Sequence, residues 1–301
     1  MTTLTLSKSP LLARLPLAEL LLLLTAIFWG TSYGVTKEAL LYTGVLAFLV
    51  LRFTLTSFIL LPFFWHEQVK GHNTQWKSAI PTGFILLCIF VAETYGIFHT
   101  TASNAAFLIS LCVLMTPFIE GFVNKTWPTK SLLSFALMSV LGVLLLTQQE
   151  SDQIVLNTGD YFILLAAFLR ACMVVATKVL LNGKGLSALG VTCIQSNVVA
   201  IGSIAILLFS DVQLSTLFPN NTPFWGMTFY LVIFCTIFAL FAQNYGVRHT
   251  SASKVALLTG SEPAFGALFA ILWLGESLTL MQMIGGVCIL AATLMASMKK
   301  D

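Results

Sequence analysis

Polar residues along this chain are confined to short interruptions between long apolar runs, with little of the alternation that marks half-buried strands or amphipathic surface helices. A helix needs about 20 apolar residues to cross roughly 30 Å of hydrocarbon. On that rule the pattern predicts ten membrane helices: Leu20–Thr36, Gly44–Trp65, Ala79–Phe98, Ala102–Val123, Ser131–Thr147, Tyr161–Val179, Leu186–Phe209, Pro223–Val247, Val255–Leu274 and Leu278–Met298. Their connections are short, so no soluble domain is left for separate chemistry. Lys8 and Arg14 precede the first run as they would in a signal peptide, but the run is about span length and has no small-residue cleavage site, so it reads as a span.

The stretch from Tyr245 to Glu276 has a partner earlier in the chain. Shifted by 150 positions, Ala242, Tyr245, Gly246, His249, Thr250, Ala252, Ser253, Ala256 and Leu258 fall on Ala92, Tyr95, Gly96, His99, Thr100, Ala102, Ser103, Ala106 and Leu108. Self-similarity at a fixed offset marks an internal repeat. The expected organisation is a segment 1–16, a first five-helix repeat at 17–149, a second at 150–298, and a tail at 299–301.

Composition agrees with the pattern. Hydrophobic residues make up 57% and charged residues 9% of 301 positions, and mean hydropathy is +0.92, whereas soluble domains carry roughly a quarter charged residues. The six cysteines lie inside apolar runs without CxxC spacing, which argues against disulfides and zinc. No P-loop is present to couple the chain to ATP, and no cofactor is expected.

Charge placement supplies orientation, because Lys and Arg resist translocation. With a cytoplasmic N-terminus, Lys8, Arg14, Lys70, Lys77, Lys125, Lys130, Lys178, Lys184, Arg248, Lys254, Lys299 and Lys300 all fall inside. Lys37 falls outside, Arg52 and Arg170 fall within the membrane, and the middle connection carries Glu150, Asp152 and Asp160. Both termini are therefore expected in the cytoplasm. Five spans per half is odd, so the second half enters from the opposite side. The predicted fold is an all-α membrane protein of two inverted five-helix repeats around a central cavity, an arrangement many transporters use to rock about one site.

Particular residues resemble the EamA-like branch of the drug/metabolite transporter superfamily. In the first half these are Phe28-Trp29-Gly30-Thr31-Ser32-Tyr33, Leu51-Arg52-Phe53 and Thr101-Ala102-Ser103-Asn104-Ala105-Ala106-Phe107-Leu108. In the second half they are Glu262-Pro263, Leu274-Gly275-Glu276 and Gly285-Gly286. The chain departs from the pattern at Asn124–Pro128, where Gly-Glu is expected, and at Arg170, where the family usually has an aromatic nearby. The resemblance implies a ten-helix carrier, commonly an exporter of amino acids or other small metabolites or drugs, without fixing its substrate.

Ionisable groups inside a membrane are functional candidates by default. Counted along the helices, Glu262 and Arg170 each lie roughly 15 Å deep, where they can pair or face one cavity. Glu262 reads either as a cavity acid for a cationic group or proton, with Pro263 loosening its helix, or as a kink whose carboxylate neighbouring helices satisfy. Arg170 suits a carboxylate or phosphate, while Arg52 reads as a packing residue nearer an interface. Glu93 and its repeat partner Gln243 form a candidate polar pair lining the same cavity. Asn197 and Asn244 either join them or hydrogen-bond between helices. Trp29 is too deep for an interfacial belt; Tyr33 and Tyr95 fit a pocket wall or that belt. Gly30-Thr31-Ser32-Tyr33-Gly34 matches a nucleophile motif, but such a serine needs a strand-to-helix turn, so helix packing is the better reading.

The expected function is a secondary transporter in a plasma membrane of bacterial inner-membrane type, moving a small polar or amphipathic metabolite, such as an amino acid or amine-bearing compound, outward by alternating access. Its expected partners are that small molecule, protons as an open question, and the lipid bilayer, with no nucleic acid. A non-transporting helper subunit and a membrane-embedded enzyme are the alternatives, and the second lacks a reactive cluster at one depth.

Overall fold

The computed structural model describes residues 17–147, 156–210, 218–274 and 279–298. Lys8, Arg14, Glu150, Asp152, Gly275, Glu276, Lys299 and Lys300 lie outside the described residues, as do the expected segments 1–16 and 299–301. All elements described are helical: α1 (Leu17–Ala39), α2 (Val45–Val69), a 3₁₀ turn (Trp76–Ala79) leading into α3 (Ile80–His99), α4 (Ala102–Ser110), α5 (Cys112–Asn124) and α6 (Lys130–Thr147). There follow α7 (Thr158–Leu180), α8 (Ala188–Leu208), α9 (Thr222–Tyr230), a π-helical segment (Leu231–Phe238), α10 (Ala239–His249), α11 (Ala252–Thr259), α12 (Glu262–Leu274) and α13 (Leu280–Met298).

Among the described residues seven helical stretches are long and apolar enough to cross a membrane, with Asn104–Asn124 counted as one and Thr222–His249 as another. Two shorter apolar helices lie at Lys130–Leu145 and Leu280–Ala296. Large apolar side chains such as Phe58, Phe63, Trp65 and Phe122 point outward, as they do where lipid is the solvent. The chain is a multi-pass membrane protein.

Two expected helices are interrupted. The ninth, expected to run unbroken from Val255 to Leu274, ends at Thr259 and restarts at Glu262. Pro263 explains the restart: it has no N–H to donate and its fixed φ suits the first turn of a new helix. The fourth expected helix likewise tightens at Leu111, between α4 and α5. Under the 150-residue offset Leu111 aligns with Ser261 and Cys112 with Glu262, so the two interruptions occupy equivalent places. The junctions ahead of them match too: Thr101 accepts from the Asn104 amide at 3.1 Å to cap α4, and Ser251 accepts from the Lys254 amide at 3.3 Å to cap α11.

Packing pairs like with like. Helix α2 lies against α8 and α6 against α13, while α3 packs on α7 as α1 packs on α10. The α6–α13 contact is close because Gly142 and Gly285 meet: a Cβ on Gly142 would stand 2.7 Å from the Gly285 carbonyl oxygen.

Helices α1 and α7, each of 23 residues, run in opposite directions, as their terminal contacts show. At one end Lys37 of α1 donates to the carbonyls of Ile97 and Thr100 at 2.8 Å, and the Thr100 hydroxyl donates to Asp160 of α7 at 2.6 Å. At the other end Glu19 of α1 pairs with Lys254 at 3.0 Å, while Lys178 of α7 donates to the Thr250 carbonyl at 2.5 Å. The start of α1 thus sits with the end of α7. Aligned start to start, the two helices match Glu19 with Asp160, Trp29 with Arg170, and Thr36-Lys37 with Thr177-Lys178.

The second of these ends collects the basic connections. Glu120 of α5 accepts the amides of Ala252 and Ser253 at 2.9 and 2.8 Å. The Ser187 amide donates to Asn73 at 2.7 Å and its hydroxyl to Glu67 at 2.6 Å, tying the α2–α3 link to the α7–α8 link. Lys70, Lys77, Lys125, Lys178, Lys184, Arg248 and Lys254 therefore belong to one end of the bundle, and Lys37 to the other.

Candidate functional site: a charged chamber between the halves

Helices α1, α2, α3, α7 and α10 line a narrow cavity of about 30 Å³. Its polar lining is Trp29, Ser32 and Tyr33 from α1, Arg52 from α2, Glu93 from α3, Arg170 from α7 and Gln243 from α10. Both halves of the chain contribute. One charge pair is closed: Arg170 Nη2 lies 2.8 Å from Glu262 Oε1, and the Tyr33 hydroxyl donates to Glu262 Oε2 at 2.8 Å. The Arg170 guanidinium also stands 4.1 Å from the centre of the Trp29 ring, close enough for a cation–π contact. These partners matter because a buried charge is tolerable only when another charge or a full set of hydrogen bonds meets it.

Backbone features aim these groups. Glu262 opens α12, so its side chain emerges where α11 has stopped. Gly30 lets α1 approach that point: a Cβ there would fall 2.6 Å from the Glu262 carbonyl oxygen. On the other side, the Trp29 indole donates to the Cys235 carbonyl at 2.8 Å, and Arg52 Nε donates to the Thr236 hydroxyl at 2.8 Å. Both acceptors lie in the π segment, whose wider turn changes the direction in which its groups point; such segments recur at functional sites.

Of the residues singled out in the sequence, Trp29, Tyr33, Glu93, Arg170, Gln243 and Glu262 come together at this chamber. The rest are elsewhere. The Asn197 amide donates to the Cys193 carbonyl of its own helix at 2.8 Å. Asn244 faces α8, donating to Thr192 at 3.0 Å and Gln195 at 2.9 Å. Tyr95 packs beside Leu46, Val50 and Leu207 and toward the Phe162 ring. Arg52, expected as a packing residue near an interface, is instead only 4% exposed and lines the chamber. Its signal was present in the sequence as a lone charge well inside an apolar run.

A helical bundle that crosses the membrane repeatedly, exposes apolar side chains outward and holds ionic groups at its centre has the architecture of a membrane transporter. The pattern of the EamA-like transporter family matches the chain twice, over residues 16–148 and 157–298, and the chain belongs to that family, within the drug/metabolite transporter superfamily. It is similar to an "Uncharacterized transporter" of Archaeoglobus fulgidus, 28% identical over 288 residues, covering 94% of this chain and 86% of that one. It is also similar to "Uncharacterized transporter YyaM" of Bacillus subtilis, 24% identical over 289 residues and covering 92% of each. A crystal structure aligns with a TM-score of 0.72 at 14% identity, covering 92% of this chain and 94% of its own, a likeness of fold.

Proposed function

We propose that this transporter is a secondary carrier with ten membrane crossings in two inverted halves, and that the chamber between them binds a small zwitterionic metabolite, such as an amino acid or a related amine-bearing compound. The observation that carries the reading is the set of opposite charges gathered at one place: Arg52, Arg170 and the half-buried Glu93 line the cavity, and Glu262 pairs with Arg170 beside it. Such a set costs stability unless something uses it. The antiparallel run of α1 and α7, with matching lysines closing opposite ends, supports the inverted arrangement, and the basic end of the bundle is read as cytoplasmic.

At about 30 Å³ the chamber has room for a water or two, far below the roughly 300 Å³ of an ordinary ligand pocket. Loading therefore requires the halves to part, and unloading requires them to part on the other side, which is alternating access. Export from a plasma membrane of bacterial inner-membrane type rests on family resemblance alone.

Purified protein in liposomes preloaded with unlabelled amino acids should accumulate the same labelled compounds by counterflow, without ATP. Glu262→Gln, which keeps the side chain's shape and an amide that can still bond Tyr33, should slow that flux per folded molecule. A wild-type protein silent for every zwitterion offered would sink the substrate class, and flux unchanged in Glu262→Gln would remove this acid from the mechanism.

A further inference from the structure

The two arginines of the chamber are not in the same condition. Arg170 is occupied, with Glu262, Tyr33 and Trp29 around it. Arg52 spends only its Nε, on the Thr236 hydroxyl, and rests its guanidinium 5.1 Å from the Phe90 ring centre. Its two terminal nitrogens have no hydrogen-bond partner among the described residues. A guanidinium carries five N–H donors and remains charged at any physiological pH. Opening onto the cavity from a residue only 4% exposed, those remaining donors define a receptor for a planar oxyanion.

Glu93 is the matching case. It lines the same cavity as both arginines and makes neither an ion pair nor a hydrogen bond with any described residue. Gln243, its repeat partner, lines the cavity and likewise has no hydrogen-bond partner among the described side chains.

We infer that Arg52 and Glu93, rather than Arg170 and Glu262, grip the charged ends of the substrate: Arg52 takes the carboxylate and Glu93 the ammonium. This rests on the zwitterion reading above and assigns the work within it. The Arg170–Glu262 pair becomes a strut joining α7 to α12 within the second half, met from the first half by Tyr33 and Trp29 of α1 when the chamber is small. The π segment acquires a purpose, since Thr236 both donates to the Leu231 carbonyl at 2.8 Å and accepts from Arg52, which fixes the arginine's direction toward the chamber.

The test is a selectivity ratio, which does not depend on how much protein folds. Counterflow of a labelled mixture of proteinogenic amino acids is competed by the corresponding methyl esters, which lack the carboxylate charge, or by the N-acetyl derivatives, which lack the ammonium. The wild type should prefer free amino acids over both by about tenfold or more, because a site built for a polar group rejects the analogue without it. Arg52→Gln should lose the preference over esters and keep that over N-acetyl compounds, and Glu93→Gln should do the reverse. Arg170→Gln should keep both ratios even where its rate falls. Where a variant carries no flux, the same ratios are read from quenching of its tryptophan fluorescence by the same compounds. Unchanged ester discrimination in Arg52→Gln, or its loss in Arg170→Gln, would overturn the assignment and leave the carrier reading standing. A wild type that moves and binds none of these compounds would overturn both.

Discussion

At the scale of single residues the decisive feature is an ion pair held away from water. Arg170 and Glu262 are 8% and 2% exposed, so removing either partner strands the other. Breaking a buried pair costs about 3–5 kcal/mol, while replacing both members by apolar groups is often neutral. Arg170→Leu and Glu262→Leu should each lower the apparent melting temperature of the detergent-solubilised protein substantially, and the double variant should recover most of the loss. Melting temperatures that simply add would show that the pair is not coupled as described. Glu262 and Arg170 were legible in the sequence because a charge inside an apolar run stands out. Arg52 stood out equally, but its place in a family-like Leu-Arg-Phe triplet favoured a packing role. What the sequence could not supply was the partner count, since whether a guanidinium is spent or free depends on contacts between segments far apart in the chain.

At the scale of elements, stability and motion meet at the helix ends. Lys37 fastens the end of α3 to α1, and the matching Lys178 fastens the end of α10 to α7 on the opposite side of the bundle. A cation at a helix C-terminus satisfies carbonyls that have no intrahelical donor. Both ties lie within one half, so on the carrier reading proposed above each steadies the rim at one end of the bundle. Lys37→Met should bias the protein toward opening at the Lys37 end, and Lys178→Met toward opening at the other. A single cysteine introduced at Gln243 in a cysteine-free background would report this by its reaction rate with an impermeant maleimide applied to one side of liposomes. Equal effects of both substitutions on one side would contradict opposed latches. The end-to-end match of α1 with α7 was hidden in the sequence because the halves do not keep one offset: 150 aligns the third and later helices, whereas the first helices need a shorter shift. The break at Glu262-Pro263 was visible as a breaker, though as a loosening rather than a restart. The π segment Leu231–Phe238 left no trace, being a run of apolar residues and one threonine with neither Gly nor Pro; it is set by what it packs against.

At the scale of the whole molecule, composition and run length identified a helical membrane protein, and the repeat identified two halves, because both signals are summed over many residues. The face each helix turns inward was not legible: a helix surrounded by protein on one side and lipid on the other can be apolar all round, so Asn244 and Gln243, adjacent in sequence, parted company only in the fold. Close helix contacts carry the architecture. Gly142→Leu would drive a side chain into the Gly285 backbone, where overpacking costs about 1–3 kcal/mol or more, and should reduce folded yield and thermal stability together. A yield equal to that of the wild type would show that α6 and α13 are free to separate.

On the carrier reading proposed above, one chamber faces each side of the membrane in turn. Its most direct test places a single cysteine at Ser32, a chamber-lining position, in a cysteine-free protein reconstituted in one orientation, and measures labelling by an impermeant maleimide from the outside and, separately, from the lumen. Alternating access predicts modification from both sides, with substrate slowing each reaction. Labelling from one side only under every condition, or from neither, would contradict it.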